Sequence, residues 1–214
     1  VLTEATAELA LALTLAAARR MSDAERDLRA GRWHGLEPGA YLGLELRGAS
    51  VGVIGLGRIG GRYAEMVRLI GAEVLYTSRH PNPDAERELG ARRFELGELL
   101  ETSDVVSLHA PSTPDTHHLI GAAELELIGS GGILVNTSRG PLVDAEALAV
   151  ALQRGTLGAA GLDVYEREPI VPASLLAAPR CVLLPHIGSA TVTARDAMAR
   201  LVAENVIAVL EGAK

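Results

Sequence analysis

From Ala49 onward, short apolar runs alternate with longer stretches in which apolar residues recur at helical spacing. The apolar runs fall at 50–54, 73–77, 104–108, 132–137, 158–164 and 181–184, and the helical stretches at about 58–70, 95–102, 122–128, 144–154 and 191–211. Short apolar runs of this kind are typical of strands buried on both faces. Strands that alternate with helices imply right-handed crossovers. The pattern therefore predicts an α/β fold with a doubly wound parallel sheet.

The first 48 residues follow a different pattern. Residues 4–20 are rich in Ala and Leu almost all round, which predicts a buried helix. Ser22-Asp-Ala-Glu25 fits a capping box that opens a second helix, and Gly31 would end it. Residues 32–48 read as a glycine-rich loop. The longest apolar run, 9–18, is shorter than the roughly 20 residues that a membrane span needs, so no membrane partner is expected.

Composition narrows the function classes. The 214 residues carry 20 basic and 27 acidic side chains, a net charge of −7, whereas nucleic-acid binding favours a basic surface. Aromatic residues make up 3% of the chain, too few for a base-stacking platform. Cys181 is the only cysteine and lies in an apolar run, so we expect it to be a buried, unreactive core residue. A chain without an internal disulfide suits a reducing cytosol, and we expect a cytoplasmic protein.

A glycine-rich turn gives the first functional indication. The apolar run 50–54 leads directly into Gly55-Leu-Gly57-Arg-Ile-Gly60, and a helical stretch follows. In this arrangement the first glycine permits a tight turn, the second lets the backbone approach a pyrophosphate, and the third allows close helix–strand packing. The helix N-terminus then offers donors to the phosphates. The strand before and the helix after the motif predict a Rossmann-type dinucleotide-binding domain.

The end of the second strand bears on the choice of cofactor. Enzymes that use NAD place an acidic residue about 20 residues past the glycine motif, where it binds the ribose hydroxyls. Ser78 follows Gly60 by 18 residues and occupies this position, and Arg79 comes next. A guanidinium without a neighbouring carboxylate suits a 2′-phosphate. The sequence favours NADP(H), with NAD(H) as the alternative.

Three later strand ends carry residues suited to acid–base chemistry, namely Arg139, Glu168 and His186. Singly, each has an ordinary structural explanation: a surface ion pair, a solvated charge and a histidine bonded to the backbone. Successive parallel strands end at one edge of the sheet, where ligands bind in this architecture. Together the three residues therefore predict a catalytic site.

The chain resembles the D-isomer-specific 2-hydroxyacid dehydrogenases. The resemblance rests on motifs spread over nearly the whole chain in the family's order: Thr6-Ala-Glu8-Leu-Ala, Gly55-Leu-Gly-Arg-Ile-Gly60, Ser107-Leu-His109-Ala-Pro111, Asn136-Thr-Ser-Arg139-Gly140, Gly161-Leu-Asp163-Val and Pro185-His186-Ile-Gly188. It implies that Arg139, Glu168 and His186 are catalytic, and it selects Glu168 over Glu166 because Glu168 precedes a proline.

The implied reaction is reduction of a small 2-oxo acid, which needs a hydride on carbon and a proton on the carbonyl oxygen. His186 would donate the proton, since imidazole titrates near neutrality. Glu168 would orient the ring and favour its charged form. Arg139 would bind the substrate carboxylate and polarise the carbonyl.

The resemblance also implies cofactor contacts beyond the glycine turn. Arg58 and Ile59 would lie at the pyrophosphate, and Asp163 at the nicotinamide carboxamide. The remaining candidates flank the adenine-ribose side or follow the later strands: His109, Ala110, Pro111, Thr137, Ser138 and Ser189. No metal is expected, because His117 and His118 are neighbours whose side chains should point apart and no partner cluster follows them.

Within the family, Pro185-His-Ile-Gly-Ser-Ala-Thr191 and Tyr76-Thr-Ser-Arg-His-Pro81 are most similar to glyoxylate/hydroxypyruvate reductases. The alternatives are a phosphoglycerate dehydrogenase-like enzyme and a dinucleotide-sensing corepressor-type protein. The segment 170–175 departs from the family's pattern, which leaves the substrate open.

Members of the family are longer than this chain. We therefore interpret the chain as the nucleotide-binding domain, with the substrate domain largely absent, and we expect it to reduce 2-oxo acids only weakly by itself. Residues 1–31 would form a helical interdomain and dimerisation arm, and 32–214 the dinucleotide-binding domain. The first helix is expected to need an outside cover, which predicts a homodimer.

Overall fold

The computed structural model describes residues 1–212, which form one parallel sheet between two layers of helices. The strands are β1 Ser50–Ile54, β2 Glu73–Thr77, β3 Arg92–Arg93, β4 Val105–Leu108, β5 Ile133–Asn136, β6 Ala159–Leu162 and β7 Cys181–Leu183. Their order is β3-β2-β1-β4-β5-β6-β7, and every neighbouring pair is parallel. The predicted doubly wound α/β sheet is confirmed.

The helices lie between successive strands and at both ends of the described chain. They are α1 Thr3–Ala18, α2 Met21–Arg29, α3 Arg58–Ile70, α4 Pro83–Leu89, α5 Leu96–Thr102, α6 Ala122–Ile128, α7 Ala145–Arg154, α8 Ala173–Leu176 and α9 Val192–Leu210. The pattern of apolar residues did not predict α4, β3 or α8. Among residues 1–212, no helix is long and apolar enough to cross a membrane.

The strands are buried on both faces, as the short apolar runs predict. Alternate side chains of β1 enter opposite halves of the core: Val51 and Val53 pack on the side of α1 and α3, and Ile54 on the side of α5, α6 and α7. This alternation follows from the two-residue period of a strand. The two apolar layers hold the sheet in place. The candidate functional residues lie on the segments that follow the strands.

The first helix finds its cover within the chain. Ala7, Ala10 and Leu13 are at most 1% exposed, because α1 packs against α3, β5 and β6. The expectation that α1 needs an outside cover is therefore wrong, and this helix supplies no reason for a dimer. The homodimer and the division at residue 31 remain predictions. The last two residues of the predicted domain 32–214 lie outside the described residues.

The junction between the first two helices also differs from the prediction. α1 ends at Ala18 instead of residue 20, and α2 begins at Met21 behind Arg20, whose φ is 51°. The predicted capping box does not form. Ser22 lies inside α2, and its hydroxyl donates to the Cys181 carbonyl at 3.2 Å. Cys181 itself is buried, as expected.

Candidate functional site

A cleft of about 660 Å³ opens at the carboxyl ends of β1, β2 and β4. From β1 the chain runs outward to β2 and β3, and it then crosses back to β4 on the other side of β1. Segments that leave neighbouring strands in opposite directions create a crevice at this point of a doubly wound sheet. Seven of the predicted cofactor residues line the cleft: Gly55, Gly57, Ser78, Arg79, His109, Ala110 and Pro111.

The glycine turn has the geometry that its spacing predicts. Gly55 has φ +95°, and a Cβ at Gly60 would lie 2.2 Å from the Gly55 carbonyl oxygen, so the chain itself requires glycine at these positions. Gly57 differs, because a Cβ there would meet no atom within 4 Å among residues 1–212. It is also the N-cap of the 13-residue helix α3. The space in front of Gly57 is open to a ligand.

The turn after β2 is held by hydrogen bonds that leave Arg79 at the cleft. The Ser78 hydroxyl donates to the His80 carbonyl at 2.5 Å, and Arg93 of β3 donates to the Ser78 carbonyl at 3.1 Å. Of the described residues that line the cleft, Asp115 alone is acidic. Asp115 follows β4, so the lining residues of the β2 turn include Arg79 and no carboxylate. His80 is exposed and also lines the cleft.

His109 follows β4 and forms part of the cleft wall. Its Nε2 lies 2.9 Å from the Ser107 hydroxyl, and its ring lies 5.1 Å from that of Tyr63. Desolvation lowers the pKa of His109 to about 4, so the ring is neutral at pH 7. A neutral ring adds no charge to the wall.

Glu168 and His186 form a hydrogen-bonded pair at the same edge of the sheet, beyond β6 and β7. His186 Nδ1 donates to Glu168 Oε2 at 2.6 Å, and the other carboxylate oxygen accepts from the Tyr165 amide at 2.9 Å. Burial raises the pKa of Glu168, but these two hydrogen bonds and the charges of His186 and Arg139 outweigh it and hold the pKa below its usual value. The carboxylate is therefore ionised at neutral pH.

Asp163 fixes the loop that carries His186. Its carboxylate accepts from the Ile187 amide at 2.7 Å and from the Gly188 amide at 2.8 Å. Burial raises the pKa of Asp163, and the two amides act against this. His186 has φ 55°, which is uncommon for a residue with a Cβ, so the loop needs such an anchor. Asp163 thus has a role within the chain that the sequence did not predict.

Arg139 lies at the end of β5, on a turn framed by Asn136. The Asn136 amide donates to the Arg139 carbonyl at 2.9 Å, and its oxygen accepts from the Ser138 amide at 3.0 Å. Arg139 is exposed. A Cβ at Gly140 would lie 1.9 Å from the Tyr165 carbonyl carbon, so the Arg139 turn rests directly on the Glu168 loop. The three predicted catalytic residues therefore lie on adjoining loops.

The other predicted cofactor residues do not line this cleft. They lie on α3 or after the later strands: Arg58, Ile59, Gly60, Thr137, Ser138, Asp163 and Ser189. Ser138 donates to the Ala110 carbonyl, which joins the β5 end to the cleft wall. The Thr137 hydroxyl is buried without a hydrogen-bond partner in the part of the chain that the structure describes.

Sequence reasoning missed residues on the far wall of the cleft, namely Thr113, Asp115, Thr116 and Leu119. Thr113 and Thr116 form a capping box around a single 3-10 turn. This local signal could have predicted the turn from the sequence.

The prediction for His117 and His118 was wrong in its geometry. Their rings do not point apart but stack at 4.0 Å. Residues 1–212 contain no cluster of three or more His, Cys, Asp or Glu side chains suited to a metal.

The cleft, the hydrogen-bonded pair of His186 and Glu168, and the exposed Arg139 thus lie along one edge of the sheet. Residues 11–188 match the family model described as "D-isomer specific 2-hydroxyacid dehydrogenase, NAD binding domain". The glyoxylate reductase of Thermococcus litoralis is 47% identical over 216 residues, which cover 99% of this chain and 65% of that protein. The chain thus spans about two thirds of the length of this curated relative.

Solved structures agree with the family match. The TT0316 protein from Thermus thermophilus is 48% identical with a TM-score of 0.92, over 100% of this chain and 67% of that one. An NADPH-dependent glyoxylate/hydroxypyruvate reductase from Sinorhizobium meliloti, solved with NADP and malonate, is 40% identical with a TM-score of 0.88, over 99% and 65%. The chain belongs to the D-isomer-specific 2-hydroxyacid dehydrogenases and comprises their nicotinamide dinucleotide-binding domain.

Proposed function

We propose that this chain provides the cofactor site and the acid pair of a reductase that converts glyoxylate, hydroxypyruvate or a similar small 2-oxo acid to the D-2-hydroxy acid. The observation that carries the proposal is the hydrogen bond of 2.6 Å between His186 Nδ1 and Glu168. Relatives named glyoxylate reductase, at 47% identity and similar values, support the substrate class.

The residues present fit a nicotinamide dinucleotide. The close approach of Gly60 to Gly55 leaves the α3 N-terminus facing open space at Gly57. An anionic pyrophosphate fits a helix N-terminus of this kind. When bound, the reduced nicotinamide ring supplies the hydride for the reaction.

Proton donation, control of the imidazole tautomer and substrate binding are assigned to His186, Glu168 and Arg139, respectively. Because His186 Nδ1 is bonded to Glu168, Nε2 is the ring atom left to donate a proton to the substrate oxygen. Glu168 fixes the tautomer and stabilises the imidazolium. The exposed Arg139 can bind a carboxylate with two parallel hydrogen bonds, which places the adjacent carbonyl near the acid pair.

The proposal includes a preference for NADPH over NADH. Support comes from Arg79, which lines the cleft. It follows Ser78, and Ser78 occupies the position where enzymes that use NAD carry an acidic residue. The structural relative solved with NADP is named an NADPH-dependent enzyme.

Titration of the chain with NADPH and NADH tests the cofactor assignment. We expect NADPH to bind about tenfold more tightly, the gain of roughly 1.4 kcal/mol that one charge-assisted contact supplies. Arg79→Ala should remove the difference and leave NADH affinity unchanged. Tighter binding of NADH by the wild-type chain would contradict the preference, and binding of neither nucleotide would contradict the proposed function.

A homodimer and a cytoplasmic location belong to the same proposal. Support for association comes from exposed apolar side chains on α2 and the loop after it: Leu28 is 58% exposed, Trp33 62% and Leu36 93%. Light scattering on the purified chain measures the mass directly, and a monomer at working concentration would contradict this part.

A further inference from the structure

His118 lies between the nucleotide cleft and the acid pair, and the mechanism above does not use it. Its Nε2 donates to Glu166 Oε1 at 2.5 Å, and its Nδ1 lies 3.9 Å from Asp144 Oδ2. Its side chain is 36% exposed and that of Glu166 is 28% exposed, so the contact is partly shielded from water. A carboxylate that accepts from an imidazole in such a place makes a stronger bond than a neutral pair.

On one side, His118 continues the wall of the nucleotide cleft. The wall segment, residues 111–118, lines the cleft with Pro111, Thr113, Asp115 and Thr116. The Thr116 hydroxyl donates to the Pro111 carbonyl at 2.8 Å and accepts from the Thr113 amide at 2.8 Å. The Leu119 amide donates in turn to the Thr116 carbonyl at 3.3 Å, so His118 lies within the same hydrogen-bonded segment.

On the other side, Glu166 belongs to the loop that carries the acid. It lies two residues before Glu168, and the Tyr165 amide beside it donates to Glu168 at 2.9 Å. Within the same loop, the Ile170 amide donates to the Arg167 carbonyl at 2.8 Å. A pull on Glu166 therefore acts on the carboxylate that holds His186.

The backbone of His118 shows that this position is held firmly. His118 has φ 50°, and its amide donates to the Pro141 carbonyl at 2.8 Å. A residue with a Cβ keeps such a conformation only where the surroundings determine it from several directions. The Glu166 contact is one of these constraints.

We propose that His118 is a positioning residue that ties the wall of the nucleotide cleft to the Glu168 loop, so that cofactor binding orders the acid pair. This rests on the proposed function, because the ligand proposed for the cleft is the dinucleotide. The tie consists of the side chains of His118 and Glu166.

Amide hydrogen exchange in the 214-residue chain, with and without NADPH, tests the tie at Tyr165 and Ile170. In the wild type we expect NADPH to slow exchange at Tyr165 about tenfold, the effect of roughly one charge-assisted hydrogen bond. In His118→Asn the slowing should fall below about twofold and exchange without nucleotide should be faster. Asn suits φ > 0, so this variant removes the tie without straining the backbone.

His117→Asn is the matched control, since His117 stacks on His118 but has no hydrogen bond to Glu166 in the described part of the chain. It should behave as the wild type. Glu166→Ala leaves position 118 untouched and should reproduce His118→Asn. The double variant should add nothing further, because both single changes break one contact. Glu166→Ala also serves if His118→Asn fails to fold.

Equal exchange at Tyr165 in the wild type and in His118→Asn would overturn the tie, and so would the same change in His117→Asn. A wild-type chain that binds no NADPH contradicts the proposed function instead. In that case the exchange rates without nucleotide still decide whether His118 holds the loop, because an unchanged rate at Tyr165 in both His118→Asn and Glu166→Ala would refute it.

Discussion

At the residue scale, Glu168 binds two different partners with its two oxygens, and this predicts a pH dependence. Its pKa is held below its usual value, because its hydrogen bonds from His186 and Tyr165 outweigh burial. A carboxyl whose pKa is lower in the folded than in the unfolded state stabilises the fold above its unfolded pKa, and this contribution is lost as pH falls through the folded pKa.

We therefore expect Glu168→Gln to be less stable than the wild type at neutral pH, by at most about 1 kcal/mol because the pair is partly exposed. The difference should shrink as pH falls below the ordinary carboxyl value of 4.5. Urea unfolding at a series of pH values measures it. A difference that grows toward low pH would show that the sign is wrong.

A second prediction at this scale concerns the acid and the cation. His186→Ala and Arg139→Ala should lower turnover of glyoxylate by orders of magnitude in the longest natural form of the protein, because proton donation and carboxylate binding act in the transition state. Nucleotide affinity should stay within about twofold, since neither residue lines the cleft. Steady-state kinetics and nucleotide titration on the same samples check both statements. Near wild-type turnover in either variant would refute its assigned role.

The residue scale also shows where sequence reasoning reached its limit. Glu168 and His186 were predicted because the resemblance selects them, and the structure brings them into contact. The bonds of Asp163 to the Ile187 and Gly188 amides span 24 and 25 residues, and neither the residue type nor its neighbours indicate backbone partners so distant. His118, on which the His117 ring stacks, has φ 50°, a backbone conformation that the residue type alone does not predict.

At the scale of elements, the glycine turn contains one glycine that the fold requires, Gly60, and one that only a bound ligand would require, Gly57. Gly60→Ala would place a Cβ 2.2 Å from the Gly55 carbonyl oxygen, and we expect a loss of about 2 kcal/mol or more of stability. Gly57→Ala meets open space and should cost less than about 1 kcal/mol. It should nevertheless weaken NADPH binding about tenfold or more, because the methyl group occupies the space that a pyrophosphate needs.

Thermal unfolding and nucleotide titration of the two variants form one experiment, in which each glycine is the control for the other. Normal NADPH affinity in Gly57→Ala would exclude a close approach of the cofactor at this turn. A melting temperature unchanged in Gly60→Ala would mean that the β1–α3 packing tolerates the methyl group.

The elements that the pattern predicted are those with enough apolar residues to show a period. All six predicted strands were found, and β1, β2 and α3 have the predicted bounds. β3 has two residues, both arginine, and α4 has the polar sequence PDAEREL, so neither produces an apolar signal. Asn82 before Pro83 caps α4 by accepting from the Ala85 amide, a local signal that could have predicted this helix.

At the scale of the whole molecule, the cofactor cleft and the acid pair share one edge of the sheet, but they differ in how they meet solvent. The cleft is a concavity of about 660 Å³ within the described residues. The His186 side chain is 52% exposed, and Arg139 is exposed as well. Hydride transfer to a bound 2-oxo acid requires that water be excluded from both reactants. The described residues thus enclose the proposed nucleotide site better than the proposed substrate site.

This contrast yields the last prediction. The 214-residue chain should bind NADPH and yet reduce glyoxylate or hydroxypyruvate on the order of 100-fold or more slowly than a relative such as the Thermococcus litoralis enzyme, because substrate and acid are held without a second wall. The rate of NADPH consumption with each substrate, measured beside nucleotide affinity on one preparation, gives both quantities. Turnover equal to that of the longer relative would show that the exposed edge suffices. Loss of NADPH binding would contradict the proposed function itself.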